Sequence, residues 1–483
     1  MIVAVIQGFG SDPVAAQESQ RSAPLPAAGV TVTAGETAES AATQTPGLTA
    51  ALQGNPQEVP LTLADAVEAA LEGNRALRAA GARAQAAEFA AGAKAGFTFP
   101  SIQATAGLAR TSDPVGVFGT KLRQRRFEQG DFDIGALNDP DPVTDWTAGV
   151  GAQWDIGLWD RWLERDAGEA ESRAAHAVLA RTREGTVYRT RVLYVAAIRA
   201  EAGQGALEAA EASARATTDR VRRRVEEGMG TEADLLQAQA AVSGIQARLE
   251  HARAAVMDAR EALGSWLGWP VDRLPVPTQG ARLLTEVQDP GALPPSELGN
   301  RADLVAGRAG VEAAEARARV VTAKRLPGLQ AFGQLSTHAP GIGDTRENHW
   351  TVGVQLSVPL FTGFSLTRGA EAAQAQARAL RLEQAQRERD AETEVRSARR
   401  AVDAARAALV SAEAASAAAD EAARLLRRRY EEGMATVADL LQAEARAAQL
   451  STGVVDAEAN LNVALAALDF VLGNGAGSTR DDG

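Results

Sequence analysis

Arg222-Arg223-Arg224-Val225-Glu226-Glu227-Gly228-Met229-Gly230-Thr231-Glu232-Ala233-Asp234-Leu235-Leu236-Gln237-Ala238 returns 205 residues later as Arg427-Arg428-Arg429-Tyr430-Glu431-Glu432-Gly433-Met434-Ala435-Thr436-Val437-Ala438-Asp439-Leu440-Leu441-Gln442-Ala443. The offset persists downstream, where Ala262-Leu263 and Leu267-Gly268 correspond to Ala467-Leu468 and Leu472-Gly473. Upstream, Asn74-Arg75-Ala76 recurs as Asn300-Arg301-Ala302, and Trp146-Thr147-x-Gly149-Val150 as Trp350-Thr351-x-Gly353-Val354. A repeat this long means two copies of one structural unit, hence internal pseudo-symmetry. The 483 residues are therefore read as one body of two halves, not as several unlike domains.

Composition limits what those halves can be. Aromatic residues are 4% of the chain and Ala is abundant, which favours helices packed through small side chains over a large aromatic core. A formal charge of −12 argues against nucleic acid as a partner. With no Cys, disulfides, thiolate metal sites and Cys catalysis are excluded together. His176, His251, His338 and His349 have no zinc-site spacing, so neither metal nor other cofactor is expected. No P-loop, nucleophile elbow or clustered acid–base pair occurs, and an enzyme is not expected.

No run of eighteen apolar residues exists, so no transmembrane helix is expected. Val14-Ala15-Ala16 before Gln17 reads as a signal cleavage site whose start lies upstream of Met1. A disordered tail is the competing reading of that start, and in either case residues 17–59, rich in Ala, Thr, Pro and Gly, read as unstructured, so that 1–59 form a residual signal and disordered N-terminal segment. Beyond it come a first repeat over 60–269, a Pro-rich linker over 270–295, a second repeat over 296–473 and a flexible tail over 474–483.

Proline punctuates the chain. None occurs between Pro142 and Pro270, or after Pro359, and both tracts are rich in Ala, Arg, Glu and Leu. Each therefore permits very long helices, broken only at Gly228 and Gly433, which suit a helix C-cap. Thr231 and Thr436 can cap the next helix, with Asp234 and Asp439 three residues later in a box-like position. From about Trp162 to the first tip is ~100 Å of helix, and the return to Leu267 is ~55 Å. A further short helix precedes each strand region, at about 61–96 and 296–325. Two short helices stacked end to end would match one long one, giving a cylinder ~100 Å tall.

Between the short and long helices the period changes to two. Ile102, Ala104, Ala106 and Leu108 alternate with polar or small residues, as do Trp146, Ala148, Val150, Ala152, Trp154 and Ile156. Trp350, Val352, Val354, Leu356 and Val358 repeat the pattern; 329–337 is a weaker fourth strand, because Phe332 falls on the polar face. Such runs are the pattern of membrane β-barrel strands, and equally of two hairpins in an ordinary soluble sheet. Trp146 and Trp350 at one end, with Phe97, Phe99, Trp154, Trp159 and Phe361 near the other, fit interfacial girdles. Four strands cannot close a barrel, and lipid does not tolerate open edges, so a membrane reading requires several chains.

The duplicated order of short helix, two strands, long helix, tip and short helix resembles the TolC-type outer-membrane efflux protein family over about residues 60–473. Its most specific carriers are the paired Glu-Glu-Gly-Met-x-Thr-x-x-Asp-Leu-Leu-Gln-Ala tips and Ser357-Val358-Pro359-Leu360-Phe361-Thr362-Gly363, similar to that family's strand-to-helix junction. The first half lacks the Pro there. The resemblance implies a mainly α fold with a small β part: long antiparallel helical hairpins in a trimeric α-barrel tunnel, plus four strands per chain in a shared 12-stranded barrel. It implies a homotrimer in the outer membrane of a Gram-negative bacterium, in contact with outer-membrane lipid and extending into the periplasm. Such a channel would conduct passively to the exterior for a tripartite efflux pump or type I secretion system. Its partners would be a periplasmic adaptor (membrane fusion) protein and an inner-membrane pump of RND or ABC type. The alternative is a structural coiled-coil assembly without channel activity.

By resemblance, Gly228, Met229, Thr231, Gly433, Met434 and Thr436 dock the adaptor, while Asp439, Asp234 and Gln442 line the periplasmic aperture. A ring of three carboxylates would favour cations. The bland reading is that both Asp are first-turn residues favoured by the helix dipole. The family's tip can carry an Arg and a second acid where this chain has Ala435 and Gln442, so its closing contacts must differ. Arg222–Arg224 and Arg427–Arg429 are read as solvated helix faces, some paired with nearby Glu, or as contacts for an acidic adaptor surface. The 111–143 segment reads as an external loop without assigned chemistry.

Overall fold

The computed structural model describes residues 57–96, 98–156, 160–279, 301–344 and 346–473. The N-terminal signal or tail before Gln57, Phe97, Trp159, Asn300, the linker beyond Gln279 and the tail from Asn474 lie outside the described residues.

Within the proline-free tracts, Asp160–Glu226, Glu232–Leu267, Ser365–Glu431 and Val437–Leu472 are helical. In the first half, strand β1 (Gln57–Leu61) leads to α1 (Leu63–Gly73), α2 (Arg75–Gly96) and β2 (Ser101–Thr111). Helices α3 (Pro114–Arg123) and α4 (Ile134–Asn138) then precede β3 (Val143–Asp155). Helix α5 (Asp160–Glu226, 67 residues) turns into α6 (Glu232–Leu267, 36 residues), followed by β4 (Arg273–Pro277). The second half has α7 (Ala302–Ala323), β5 (Gly328–Ala339), β6 (Glu347–Ser357), α8 (Ser365–Glu431, 67 residues) and α9 (Val437–Leu472, 36 residues). The long helices α5 and α8, and the return helices α6 and α9, share both their lengths and the 205-residue offset.

Helix α5 runs alongside α2 and α7 nearer the strands, and alongside α6 and α9 nearer the tips; α8 packs on α7 and α9. The contacts are mostly alanine. Ala309, Ala313, Ala316, Ala318 and Ala323 are all buried on α7. A buried methyl contributes only about 0.8 kcal/mol, so these interfaces derive their strength from length. Ion pairs supplement them, as where Glu171 on α5 binds Lys94 on α2 at 2.9 Å and Arg317 on α7 at 2.5 Å.

Two junctions let short helices follow a long one. The expected 61–96 helix is in fact divided at Asn74, whose backbone is extended (ψ 118°). Its side chain explains the break: Asn74 Nδ2 donates to the Trp266 carbonyl at 2.9 Å, while Oδ1 accepts Leu77 N–H at 3.0 Å. The corner thus rests on the end of α6, and it does so only because both residues in contact are glycines. A Cβ on Gly73 would stand 2.1 Å from the Leu267 carbonyl oxygen, and one on Gly268 (φ +78°) 2.5 Å from that of Gly73. At the equivalent junction Arg301, at the start of α7, donates to the Val471 carbonyl at the end of α9 and lies against Gly473 (φ +79°).

Two segments that the sequence left irregular pair with each other. Residues 57–61, of which 57–59 are assigned to the N-terminal segment, and 273–277, assigned to the linker, form the parallel β1–β4 ladder. Local patterning gives five-residue Pro-containing strands no signal; Tyr194 holds this pair in place, its buried hydroxyl donating to the Leu61 carbonyl at 2.8 Å.

The main sheet is antiparallel in the order β2-β3-β5-β6. Its register puts Ile102, Ala104, Ala106 and Leu108 on one face with Trp146, Val150, Trp154, Leu335, Trp350, Val352, Val354 and Leu356. Apart from half-buried Trp146, the larger of these are exposed, Val354 at 68% and Trp350 at 74%. Phe332 does lie on the opposite, polar face, paired with Gly353. Its ring occupies the space of a Gly353 side chain, since a Cβ there would come within 2.5 Å of Phe332 Cζ. The 111–143 segment carries two α-helices and a 3-10 turn (Gln129–Phe132) rather than loop alone, pinned to the strand ends. Gln124 donates to Asp145 Oδ1 at 3.0 Å, His338 Nδ1 lies 2.8 Å from Asp145 Oδ2, and His349 Nε2 lies 2.8 Å from the Arg123 carbonyl.

Gly268→Val adds left-handed backbone strain to a clash with Gly73, and should destabilise the chain by ~3 kcal/mol. Denaturant unfolding followed by circular dichroism tests this. An unchanged midpoint would mean that the corner does not bear on α6.

Candidate functional site

Both hairpin tips are closed by the same hydrogen bonds. At the end of α5, Gly228 (φ +73°) donates to the Val225 carbonyl at 3.0 Å and Met229 to that of Arg224 at 2.8 Å. At the end of α8, Gly433 (φ +77°) donates to Tyr430 at 3.0 Å and Met434 to Arg429 at 2.7 Å. This pair of bonds is the Schellman motif, which needs a left-handed residue and so favours glycine. The chain then enters α6 and α9 through reciprocal capping boxes. Thr231 Oγ1 accepts Asp234 N–H at 3.2 Å, while Asp234 Oδ2 accepts Thr231 N–H at 3.0 Å and its hydroxyl at 2.8 Å. Thr436 and Asp439 repeat this at 3.1, 3.1 and 2.7 Å. The helix-start role that the sequence allowed for both Asp is thus realised. The Thr436 hydroxyl, then its N–H, holds the Asp439 carboxyl below the usual range, with Arg429 adding to the effect.

The two tips touch each other. Val221 and Ala238 from the first hairpin join Tyr430, Val437 and Leu440 from the second in one buried cluster. Arg224 lies over the Tyr430 ring, 4.8 Å from its centroid, and donates to the Tyr430 carbonyl. That is a cation on the last turn of a helix, where free carbonyls and the dipole both favour it. Slightly further from the tip, half-buried Glu444 accepts from Arg427 at 2.8 Å and from the Thr217 hydroxyl at 3.0 Å, linking α8, α9 and α5. The Arg runs are therefore partly structural. Arg222 makes a surface pair with Asp219 at 2.7 Å, an acid other than the expected Glu.

Beside the second tip is an open groove of about 1120 Å³ that brings together Met434, Asp439 and Gln442 with Arg248, Arg429 and Arg446. Gly433 and Thr436 form the turn and cap of the second tip without lining this groove, and Gly228, Met229, Thr231 and Asp234 stand at the first tip instead. Met229 and Met434 are exposed, at 60% and 59%. The sequence reading surrounded Asp439 only with its own symmetry copies; the fold gives it three guanidinium neighbours. Arg446 and Arg248 had no signal, because the repeat offset pairs them with Ala241 and Gly453.

At the opposite end of the long helices, Trp154 donates from Nε1 to the Thr98 carbonyl at 3.0 Å, and Phe361 makes an edge contact with Phe364 at 5.7 Å. The ladder places Trp350 in the row of Leu335 and Val150, four residues along β3 from the row of Trp146. Among the described residues no helix is long and apolar enough to cross a membrane, and no cluster of metal-ligating side chains occurs.

The outer membrane efflux protein family matches residues 66–269 and 293–474. The outer membrane protein TolC of Vibrio cholerae is 24% identical over 336 residues, 68% of this chain and 74% of that one. The fold is also that of the outer membrane protein VceC from Vibrio cholerae (TM-score 0.72, 22% identity, 85% of this chain and 96% of that chain). A membrane protein from Pseudomonas aeruginosa is similar as well (TM-score 0.74, 21% identity, 85% and 93%).

Because the capping box lowers the folded-state pKa of Asp439, its contribution exists above the ordinary carboxylate range, near pH 4, and is lost as pH falls through the lowered value. Hydrogen exchange in the first turn of α9 should therefore speed up on acidification, after correction for intrinsic rates. Thr436→Ala should cost about 1 kcal/mol at neutral pH and flatten that dependence. A first turn equally protected in both proteins would remove the box as its anchor.

Proposed function

The chain belongs to the outer membrane efflux protein family, and we propose that it is the passive exit duct of a tripartite pump or type I secretion system, working as a homotrimer. The observation that carries this is the main sheet. Among the described residues, one of its faces is apolar across all four strands and has no layer against it, while β2 and β6 are open edges. Burying a Val, Leu or Ile side chain is worth about 1.5–3 kcal/mol, so a face this large left in water would be a heavy cost. Lipid removes the cost but forbids free edges. Joining β2 of one copy to β6 of the next satisfies both demands, and three copies give the 12 strands that the family resemblance implies.

In this reading Trp146, Trp154, Trp350 and Phe361 lie at the membrane interfaces. Trp350 is two strands from Trp146, about 10 Å across the sheet. At a tilt near 45° that separation shifts the membrane level by about three residues, close to the four-residue offset of their rows. The helices extend into the periplasm. There Gly228, Met229, Thr231, Gly433, Met434 and Thr436 present the tips to an adaptor, and Asp439, Asp234 and Gln442 line the entrance. The exposed methionines suit such docking, being apolar and conformationally adaptable. Energy comes from an inner-membrane partner of RND or ABC type.

Purified from the outer-membrane fraction, the protein should run as a detergent-stable trimer and give discrete conductance steps in planar bilayers. A soluble monomer would defeat the duct.

The sheet allows a sharper comparison. Val354 is on the bare apolar face, whereas Gln355 pairs with Gln330 on the other. Val354→Arg should lower trimer stability by ~2–4 kcal/mol if near the bilayer midplane, while Gln355→Arg should chiefly change conductance. Equal tolerance of the two would indicate a sheet in water.

A further inference from the structure

We propose that helix α3 is an outer gate: in the trimer, three copies of it close the external mouth of the barrel. This rests on the trimer reading above, because one copy covers only its own third of the wall.

Strand parity places α3 on the inner side of that wall. Asp145, His338, Glu347 and His349 belong to the sheet face opposite Val354, the face that carries Gln355 and lines the lumen in this reading. Three of them bind the turn that ends α3. Gln124 Nε2 donates to Asp145 Oδ1 at 3.0 Å and to the Thr144 carbonyl at 2.9 Å. His349 Nε2 lies 2.8 Å from the Arg123 carbonyl, and Arg125 pairs with Glu347 at 3.1 Å. His338 braces Asp145 from β5. The helix begins at Pro114, just after β2, yet these contacts carry its end to β6, three strand spacings or ~14 Å away. Its length is ~15 Å. It therefore crosses the whole sheet on the polar face.

The far side of the helix is apolar too. Val117 and Thr120 are its buried residues, whereas Val115 (80% exposed) and Leu122 (48%) stand about half a turn round from them. In the trimer that second face points at the threefold axis. Twelve strands about 4.8 Å apart, tilted near 45°, give a wall radius of about 13 Å. A helix with its side chains is about 10 Å thick, so one against the wall in each copy leaves only ~3 Å at the axis. The residues that cover Val115 and Leu122 are then the same two from the other copies.

The latch is built to release. Arg125 is exposed, and an ion pair in water holds weakly. Its backbone is left-handed (φ +50°), which is unfavourable for a residue with a side chain, so letting go relieves strain. Cargo leaving the duct meets the apolar side of α3 and can displace it outward about its β2 and β3 connections.

The chain has no Cys, so single cysteines report cleanly. Gln334 is on the lumen face four residues below His338, or ~13 Å, and Gln129 is exposed on the outer segment. Intact cells are treated with a maleimide on a polyethylene glycol chain that the outer membrane excludes. Labelling follows the open fraction, so Gln334→Cys should react at least about tenfold more slowly than Gln129→Cys. Gln124→Ala with Glu347→Ala should remove most of that difference, and Leu122→Cys should form an interchain disulfide on oxidation. Equal rates at the two positions, slow labelling that persists without the latch, or no interchain disulfide each overturns the gate. Native mass spectrometry of the same proteins separates the two ideas. An intact trimer with an open mouth removes the gate and leaves the duct standing, whereas a monomer removes both.

Discussion

A helix of 67 residues can be covered along its length only if shorter helices meet end to end beside it, and that meeting depends on backbone touching backbone. Gly73 and Gly268 allow the contact in the first half. Asn74 then fixes it by satisfying the carbonyl of Trp266 and the first-turn amide of Leu77 in α2. Arg301 does the corresponding work in the second half with a long charged side chain instead. The same physical need is met by removing atoms in one repeat and by adding donors in the other.

Alanine interfaces are shallow, so orientation along them must come from elsewhere. Buried polar groups at intervals provide it. Arg301 is buried and binds Asp303 at 2.6 Å and Glu394 at 2.9 Å. Glu444 performs a similar role near the tips. Breaking such a pair leaves a stranded charge, which is far more costly than losing one methyl contact. These groups set the helix registry more firmly than the surrounding alanines can.

The tips show what duplication preserves and what it releases. Turn and cap geometry is kept almost bond for bond, because a tight reversal between antiparallel helices has few solutions. The flanks have diverged: Tyr430 against Val225, Val437 against Glu232, Glu444 against Gln239.

Much of this was written in the sequence. Local rules fixed the long helices, since the absence of proline, the glycine stops and the Thr–Asp starts each act within a few residues. The four alternating strands and the odd placement of Phe332 were legible for the same reason. Other features depended on residues far apart in the chain. The β1–β4 pair, the break at Asn74, the helices over the strand mouth and the arginines around Asp439 arise from contacts across tens to hundreds of residues. Periodicity reports which face of an element is apolar, but not what meets it. The sequence by itself therefore determined the elements and their repetition, while only the tertiary structure decided that Asp439 shares its groove with three guanidinium groups.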